Sequence, residues 1–393
     1  WVTLMNYTER FQVVESPYSP TPVSTHTLTD IFRDESIELL LENDRYNVSN
    51  DVWERCLLDP VKTFLKKPGK SLRRDFVELG WKVAWLLSQQ VTPQSHTSRR
   101  RYDKNLNIHP PQCPEELISL VEFLHSGSLV IDDIEDQSIT RRGQPCLHLQ
   151  VGLAPALNVG NWLYFVSGHM IDRLECDALT RVRLYAQLNR VMLRCHQGQA
   201  IDVSYKVTQL ERGEIFNLTE LSTRLKTGVL VGFATQLGAL YFNLSEKMCE
   251  TLYHFGEQIG LGLQMYDDLS GFMNESRWNK GCEDISRQRL TWVWSWLSRH
   301  SEVSDQDFSI IMSSLTQLSV RGDKAVNELI STEWWRADAE ELRDQCLPYL
   351  ISAESEIRST IKGALDTLRH KLGNGEAHRI AVQAVIRLQN SYL

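Results

Sequence analysis

The sequence has no run of apolar residues long enough to act as a membrane span. Its longest nearly apolar stretch, Val229 to Leu244, is broken by Thr235 and Gln236 and falls short of the roughly 20 residues needed to cross a bilayer. It has no basic excess either. The 42 Lys and Arg stand against 50 Asp and Glu, a formal charge of −8, which argues against a nucleic-acid surface. Any phosphate ligand would therefore depend on cations gathered locally. The eight cysteines include no CxxC pair and lie far apart in a chain too large to need disulfide staples, so free thiols in a reducing cytoplasm are expected. The chain opens at Trp1 with neither an initiator Met nor a basic-then-apolar leader, as expected of a sequence trimmed at its N-terminus. Alternating strand patterns joined by turn dipeptides are also missing.

What is present is helical. With 42% hydrophobic and 23% charged residues in 393, the chain can bury a large core and is far from the composition of disorder. Residues 1–28, with Pro17, Pro20 and Pro22, read as an irregular lead-in. Amphipathic blocks then follow at about 52–66, 71–89, 114–135, 153–173, 178–204, 216–243 and 246–272, with apolar residues at three- and four-residue spacing. This predicts an all-α fold. A polar segment from Val91 to Pro111, carrying Arg99, Arg100 and Arg101, reads as a long loop. Beyond Lys280, Trp292, Trp294 and Trp296 cannot share one helix face, so that piece is either buried on several sides or an interface.

Two acidic clusters end two of the most apolar blocks. Leu129-Val130-Ile131-Asp132-Asp133-Ile134-Glu135-Asp136 is the first, and on a helix Asp132 and Asp136 share a face while Asp133 is rotated by about 100°. Crowding acids in this way, with no bases beside them in the sequence, costs like-charge repulsion unless cations bind there. Carboxylates on one face suit Mg²⁺, which takes hard oxygen ligands and bridges to phosphates. Alone, a DDxxD pattern is only moderately specific, and a solvated acidic helix end is the plain alternative. The second cluster, Gln264-Met265-Tyr266-Asp267-Asp268-Leu269, shifts that balance, because the C-terminal end of a helix is a poor place for anions without compensation. Cations stand at Lys70, Arg73, Arg141, Arg142, Lys226 and Lys280. Acids for Mg²⁺, separated cations for more than one phosphate group and apolar walls describe a site for a diphosphate attached to a hydrocarbon.

With these residues the chain resembles the trans-prenyl diphosphate synthases (polyprenyl synthetases), which extend an allylic diphosphate with isopentenyl diphosphate. The likeness covers about 65–292: Gly69-Lys70-x-x-Arg73, His125 ahead of Asp132, the DDxxD of Asp132, Asp133 and Asp136, and Arg141-Arg142-Gly143-x-Pro145. It continues through Gly198-Gln199-x-x-Asp202, Lys226-Thr227-Gly228, Gln264-x-x-Asp267-Asp268, and Lys280 before Glu283-Asp284-Ile285. The resemblance implies a single large helical bundle with a central cavity over 29–393, with 293–393 as a Trp-rich helical extension. It implies three Mg²⁺ ions held by Asp132, Asp136 and Asp267, with Asp133 and Asp268 in the same catalytic clusters. Arg141, Lys226 and Lys280 would hold the allylic diphosphate, and Thr227 and Gln264 would face the developing cation. Lys70, Arg73, His125 and Arg142 would hold isopentenyl diphosphate. A homodimer is also implied.

Three departures stand out: Gly271 where a third acid is usual in the second motif, Arg289 where a lysine usually precedes the threonine, and Arg74 where a proline usually follows Arg73. A class I terpene cyclase is the nearest rival, but Ser270 falls one residue early for its second metal motif, and a cyclase does not need the Lys70, Arg73, His125 and Arg142 group. Transfer of a prenyl group to another acceptor is a further alternative. A non-catalytic subunit is a reading from a different class, and it would be expected to lose acids or bases that this chain keeps. The resemblance implies that bulky residues at the positions of Gly127 and Ser128, five and four before Asp132, would stop chain growth, so these small ones imply a deeper tunnel, with Trp162, Tyr164 and Phe165 on the next helix as the alternative floor. This points to geranylgeranyl or longer products. Close helix packing is the plain reading of the small pair.

Overall fold

The structure, a computed structural model, describes residues 49–66, 72–89, 110–319, 330–373 and 375–391. The lead-in at 1–28, most of the 91–111 loop and Lys70 lie outside them. The chain divides into two compact units at Pro68/Gly69. In the first unit, α1 (Asn50–Trp53) runs through a π-turn (Glu54–Leu58) into α2 (Asp59–Leu65). Pro60 sits in the first turn of α2, where its missing N–H costs little.

The second unit is helical almost throughout, as the periodicity predicts. In chain order it holds α3 (Leu72–Ser88), α4 (Glu115–Glu135), α5 (Leu147–Val151), α6 (Leu153–Arg173), α7 (Ala178–Ser204), α8 (Arg212–Thr223), α9 (Val229–Tyr241) and α10 (Glu246–Met273). There follow α11 (Trp278–Ser286), α12 (Trp292–Arg299), α13 (Asp305–Gln317), α14 (Glu333–Cys346), α15 (Ala353–Leu372) and α16 (Gly375–Ser391). Side chains cap the long helices: Asp177 accepts from Thr180 N at 2.7 Å at the start of α7, and Ser245 accepts from Met248 N at the start of α10.

The longest apolar stretch of the sequence becomes α9, which is buried on every side among α3, α7 and α10. Each large apolar side chain removed from water there contributes on the order of 1.5–3 kcal/mol. Among the described residues no helix is long and apolar enough to cross a membrane. Helix α12 resolves the tryptophan question in favour of burial: Trp292 and Trp294 are 2% and 1% exposed, wedged between α8 and α10. Trp292 Nε1 donates to Thr223 Oγ1 at 3.0 Å, and the Trp294 ring meets Phe272 edge-on at 5.9 Å. All eight cysteines are unbridged.

One small element departs from the helical pattern. Strands β1 (Thr140–Arg141) and β2 (Gln144–Pro145) form a hairpin with Arg141 opposite Gln144. Arg142 (φ 53°) and Gly143 (φ 74°) make its turn, the pair of positive φ values that suits the twist of a tight hairpin. Holding a non-glycine residue there costs backbone strain, a pattern that clusters at functional sites.

Candidate active site

Helix α4 ends at its acids. Asp132 and Asp136 line a cavity of about 540 Å³, one turn apart. Asp133, on the rotated face, is 1% exposed and accepts from Arg141 Nε and a second guanidinium nitrogen, each at 2.7 Å. It thereby aims Arg141 at the cavity, where the guanidinium stands 3.6 Å from Asp132. The repulsion expected among these acids is answered from far along the chain. Asp132 accepts from Lys226 at 2.9 Å and Gln199 at 3.2 Å, while Asp136 pairs with Arg287 at 3.2 Å and with Arg289. Burial alone would push the Asp132 carboxyl up, but Lys226 and Arg289 outweigh it and hold it at about 2.

The α10 end is arranged differently. Asp267 lines the cavity and pairs with Arg277 at 2.5 Å and with Lys280. Burial raises its carboxyl, and Lys280 and Arg277 more than reverse the shift. Asp268 turns inward, accepting from Trp292 N at 3.0 Å and Gln264 Nε2 at 2.8 Å. Burial pushes its carboxyl up to about 7 against the pull of Lys280. Neither Asp133 nor Asp268 lines the cavity. Each anchors a neighbour that shapes it.

Between the two acidic ends lies a second π-turn, Arg224–Gly228. Such turns are frequent at functional sites, and this one presents both Lys226 and the next residue, Thr227, to the cavity. Burial would lower the Lys226 pKa, but Asp132 and Asp202, the latter 2.5 Å away, raise it, so the ammonium stays charged. Thr227 Oγ1 donates to Gln264 Oε1 at 3.2 Å.

Arg73, His125 and Arg142 line the same cavity, with both arginines near the histidine. Burial lowers the His125 pKa well below its ordinary value, and Arg73, Arg142 and Arg141 lower it further, so the ring is neutral and offers one N–H. The cavity also has apolar walls, with Leu124, Ile131, Val191, Leu230 and Leu263.

Of the residues expected to set its depth, Ser128 and Tyr164 line the cavity, and the Tyr164 ring meets His196 edge-on at 5.2 Å. Gly127 does not: a Cβ there would stand 2.8 Å from the Gly160 carbonyl oxygen, so this glycine lets α4 and α6 approach. Phe165 is 76% exposed and cannot be a floor for the cavity, and Trp162 is not in its lining.

Arg277, Arg287 and Arg289 carried no assigned role in the sequence reading, yet each holds a cavity acid. The only sequence signal was that Arg289 departs from the usual lysine. Among the described residues no three acids, histidines or cysteines converge closely enough to hold a metal ion by themselves. The donors are hard carboxylate oxygens from the ends of two helices that line one cavity. That fits an ion such as Mg²⁺, which is commonly held by one or two carboxylates and completes its shell with phosphate and water.

The polyprenyl synthetase family model matches residues 54–327. A geranylgeranyl diphosphate synthase from Methanosarcina mazei is 32% identical over 153 residues, 38% of this chain and 45% of that protein. A geranylgeranyl pyrophosphate synthase from Aspergillus flavus is 27% identical over 315 residues, 79% of this chain and 81% of that protein. The chain thus spans less than half the length of the Methanosarcina relative. The fold is also that of a polyprenyl synthase from Caulobacter crescentus CB15 complexed with calcium and isoprenyl diphosphate. That structure has a TM-score of 0.60 at 18% identity, covering 91% of this chain and 94% of the other.

Proposed function

Since the chain belongs to the polyprenyl synthetase family, we propose that it condenses isopentenyl diphosphate with an allylic diphosphate to give a longer all-trans prenyl diphosphate. The observation that carries this reading is one cavity lined by acids, by apolar side chains and by two sets of basic residues. Lys226, Lys280 and Arg141 stand beside the cavity acids, and Arg73 and Arg142 stand near neutral His125. Two diphosphates call for two such groups. A substrate without a second diphosphate leaves one of them without purpose.

In this reading Asp132, Asp136 and Asp267 hold a cluster of three Mg²⁺ ions, whose charge would stabilise the departing pyrophosphate. Lys226, Lys280 and Arg141 bind the allylic diphosphate and follow its growing charge as the C1–O bond breaks and the electron pair leaves with pyrophosphate. The oxygens of Thr227 and Gln264 face the allylic cation. Arg73, Arg142 and the N–H of neutral His125, with Lys70, hold isopentenyl diphosphate so that its alkene attacks C1. A new C–C bond forms, and pyrophosphate takes the proton lost from the adjacent carbon. No protein nucleophile is required.

Ser128 adds little bulk to the cavity wall, which supports geranylgeranyl or longer products, and Tyr164 and His196 line the same cavity. Ser128→Phe is therefore expected to shorten the main product by one or more isoprene units in chromatography of the dephosphorylated prenols. A homodimer is also part of the proposal. It is supported by exposed large apolar side chains on two helices, Leu153, Leu157 and Phe165 of α6 and Leu179, Val182 and Leu193 of α7. Sedimentation of the protein is its test. A cytoplasmic location is supported by the unbridged cysteines.

The deciding experiment incubates the protein with Mg²⁺, isopentenyl diphosphate and, separately, dimethylallyl, geranyl, farnesyl and geranylgeranyl diphosphates, and analyses products before and after phosphatase. Linear prenols seen only after phosphatase, and only with isopentenyl diphosphate present, are expected. Hydrocarbons or cyclic alcohols made without isopentenyl diphosphate would replace this reading with cyclisation.

A further inference from the structure

The second acidic cluster departs from the DDxxD pattern at Gly271, and groups foreign to that pattern occupy the space. A Cβ on Gly271 would meet Lys280 Cδ at 3.5 Å and Cγ at 3.8 Å, so the lysine stem lies across the place of the third acid. Helix α10 ends at Met273, and the following 3₁₀ turn, Glu275–Arg277, returns Arg277 to the helix end. There one guanidinium nitrogen donates to Asp267 Oδ1 at 2.5 Å and another donates to Ser270 Oγ. The Ser270 hydroxyl in turn donates to the Asp267 carbonyl at 3.1 Å, which braces the arginine.

The two carboxylate oxygens of Asp267 thus have different holders. Oδ2 is paired with Lys280, which lines the cavity, and Oδ1 with Arg277, which does not. A lysine in the cavity is free to exchange a carboxylate for an arriving diphosphate. An arginine outside it stays where it is. Once Lys280 exchanges partners, a carboxylate with no second holder would turn about its terminal torsion and lose its aim.

We infer that Arg277 is the positioning residue of Asp267, standing in for the missing third acid by fixing Oδ1 from outside so that Oδ2 stays directed into the cavity. The inference rests on the metal–diphosphate reading given under the proposed function. The planar fork of arginine suits the task because it reaches the carboxylate and Ser270 Oγ together, which a lysine ammonium on its flexible stem does not.

The test measures calorimetric binding of inorganic pyrophosphate to the full chain across a Mg²⁺ titration, together with the Mg²⁺ dependence of turnover. Losing an outer partner of a metal ligand typically costs roughly 10- to 100-fold in metal affinity. Arg277→Ala should raise the half-saturating Mg²⁺ concentration by that factor, with kcat recovered to within a few-fold at saturating Mg²⁺. Arg277→Lys should fall between Arg277→Ala and the unaltered protein, and Ser270→Ala should shift the titration in the same direction by less. If Arg277→Ala fails to fold, the Arg277→Lys and Ser270→Ala titrations decide.

An unshifted Mg²⁺ titration in the folded variants overturns the inference, as does a loss of pyrophosphate affinity that persists at saturating Mg²⁺, which would make Arg277 a direct diphosphate ligand. Should the unaltered protein take up no pyrophosphate with Mg²⁺, the functional reading itself fails. Uptake by the unaltered protein with unshifted variants removes only the positioning role.

Discussion

The two acidic helix ends look alike as letters and differ as structures. At the end of α4, Asp132 and Asp136, a turn apart, line the cavity together with Glu135, and Asp133 turns inward onto Arg141. At the end of α10 only Asp267 faces it, Asp268 turns inward onto Trp292 and Gln264, and the position one turn beyond Asp267 is Gly271, against the Lys280 stem. The comparison teaches that adjacent aspartates in such a pattern do different work. One faces the cavity, and the other fixes the helix end or a neighbouring cation.

The sharpest way to break the comparison is Asp132→Ala. Turnover should fall by more than the roughly 10- to 100-fold that an outer partner is worth, while the circular dichroism spectrum is kept and the melting temperature falls only modestly, because Lys226 loses Asp132 but keeps Asp202. Wild-type turnover in this variant would refute the assignment of the cavity acids.

Asp133→Ala should instead show its main effect in stability. Removing one partner of a buried pair costs about 3–5 kcal/mol, and because the Arg141 side chain keeps 24% exposure the lower end of that range is expected in urea unfolding. Affinity for the allylic diphosphate should fall alongside, since Arg141 loses its aim.

Asp268→Asn sharpens the contrast within α10. The amide oxygen can still accept from Trp292 N, so turnover should drop far less than in Asp267→Asn measured in parallel. The smallest effect belongs to Gly271→Asp. Its Cβ would meet Lys280 only at ordinary contact distance, and the new acid would compete with Asp267 for Lys280, so turnover should change by less than the roughly tenfold lower bound for an outer partner.

Much of this was legible in the sequence because it depends on near neighbours. The spacing of Asp132, Asp133 and Asp136 already separates the two that face one way from the third, and three- and four-residue periodicity gives the helices. Legibility ends where partners are far apart in the chain. Arg289 reaches Asp136 across 153 residues, and nothing local in Arg287-Gln288-Arg289 announces which carboxylate it will meet. The acids therefore read as uncompensated until the fold brought their bases in. Phe165 failed for a simpler reason: a helix has an outer face, and an aromatic residue near a motif can lie on it. The tryptophan cluster could be narrowed to burial or interface by periodicity, but only the packing of α12 against α8 and α10 decided between them.

The contact of Gly127 with Gly160 bears on redesign. An engineer seeking shorter products would see two small residues ahead of the first acids and enlarge either one. Only Ser128 offers room to grow into the cavity. A side chain at 127 would drive two long helices apart and shift both acids with them, so lost activity in such a variant would report a displaced scaffold and say nothing about chain length.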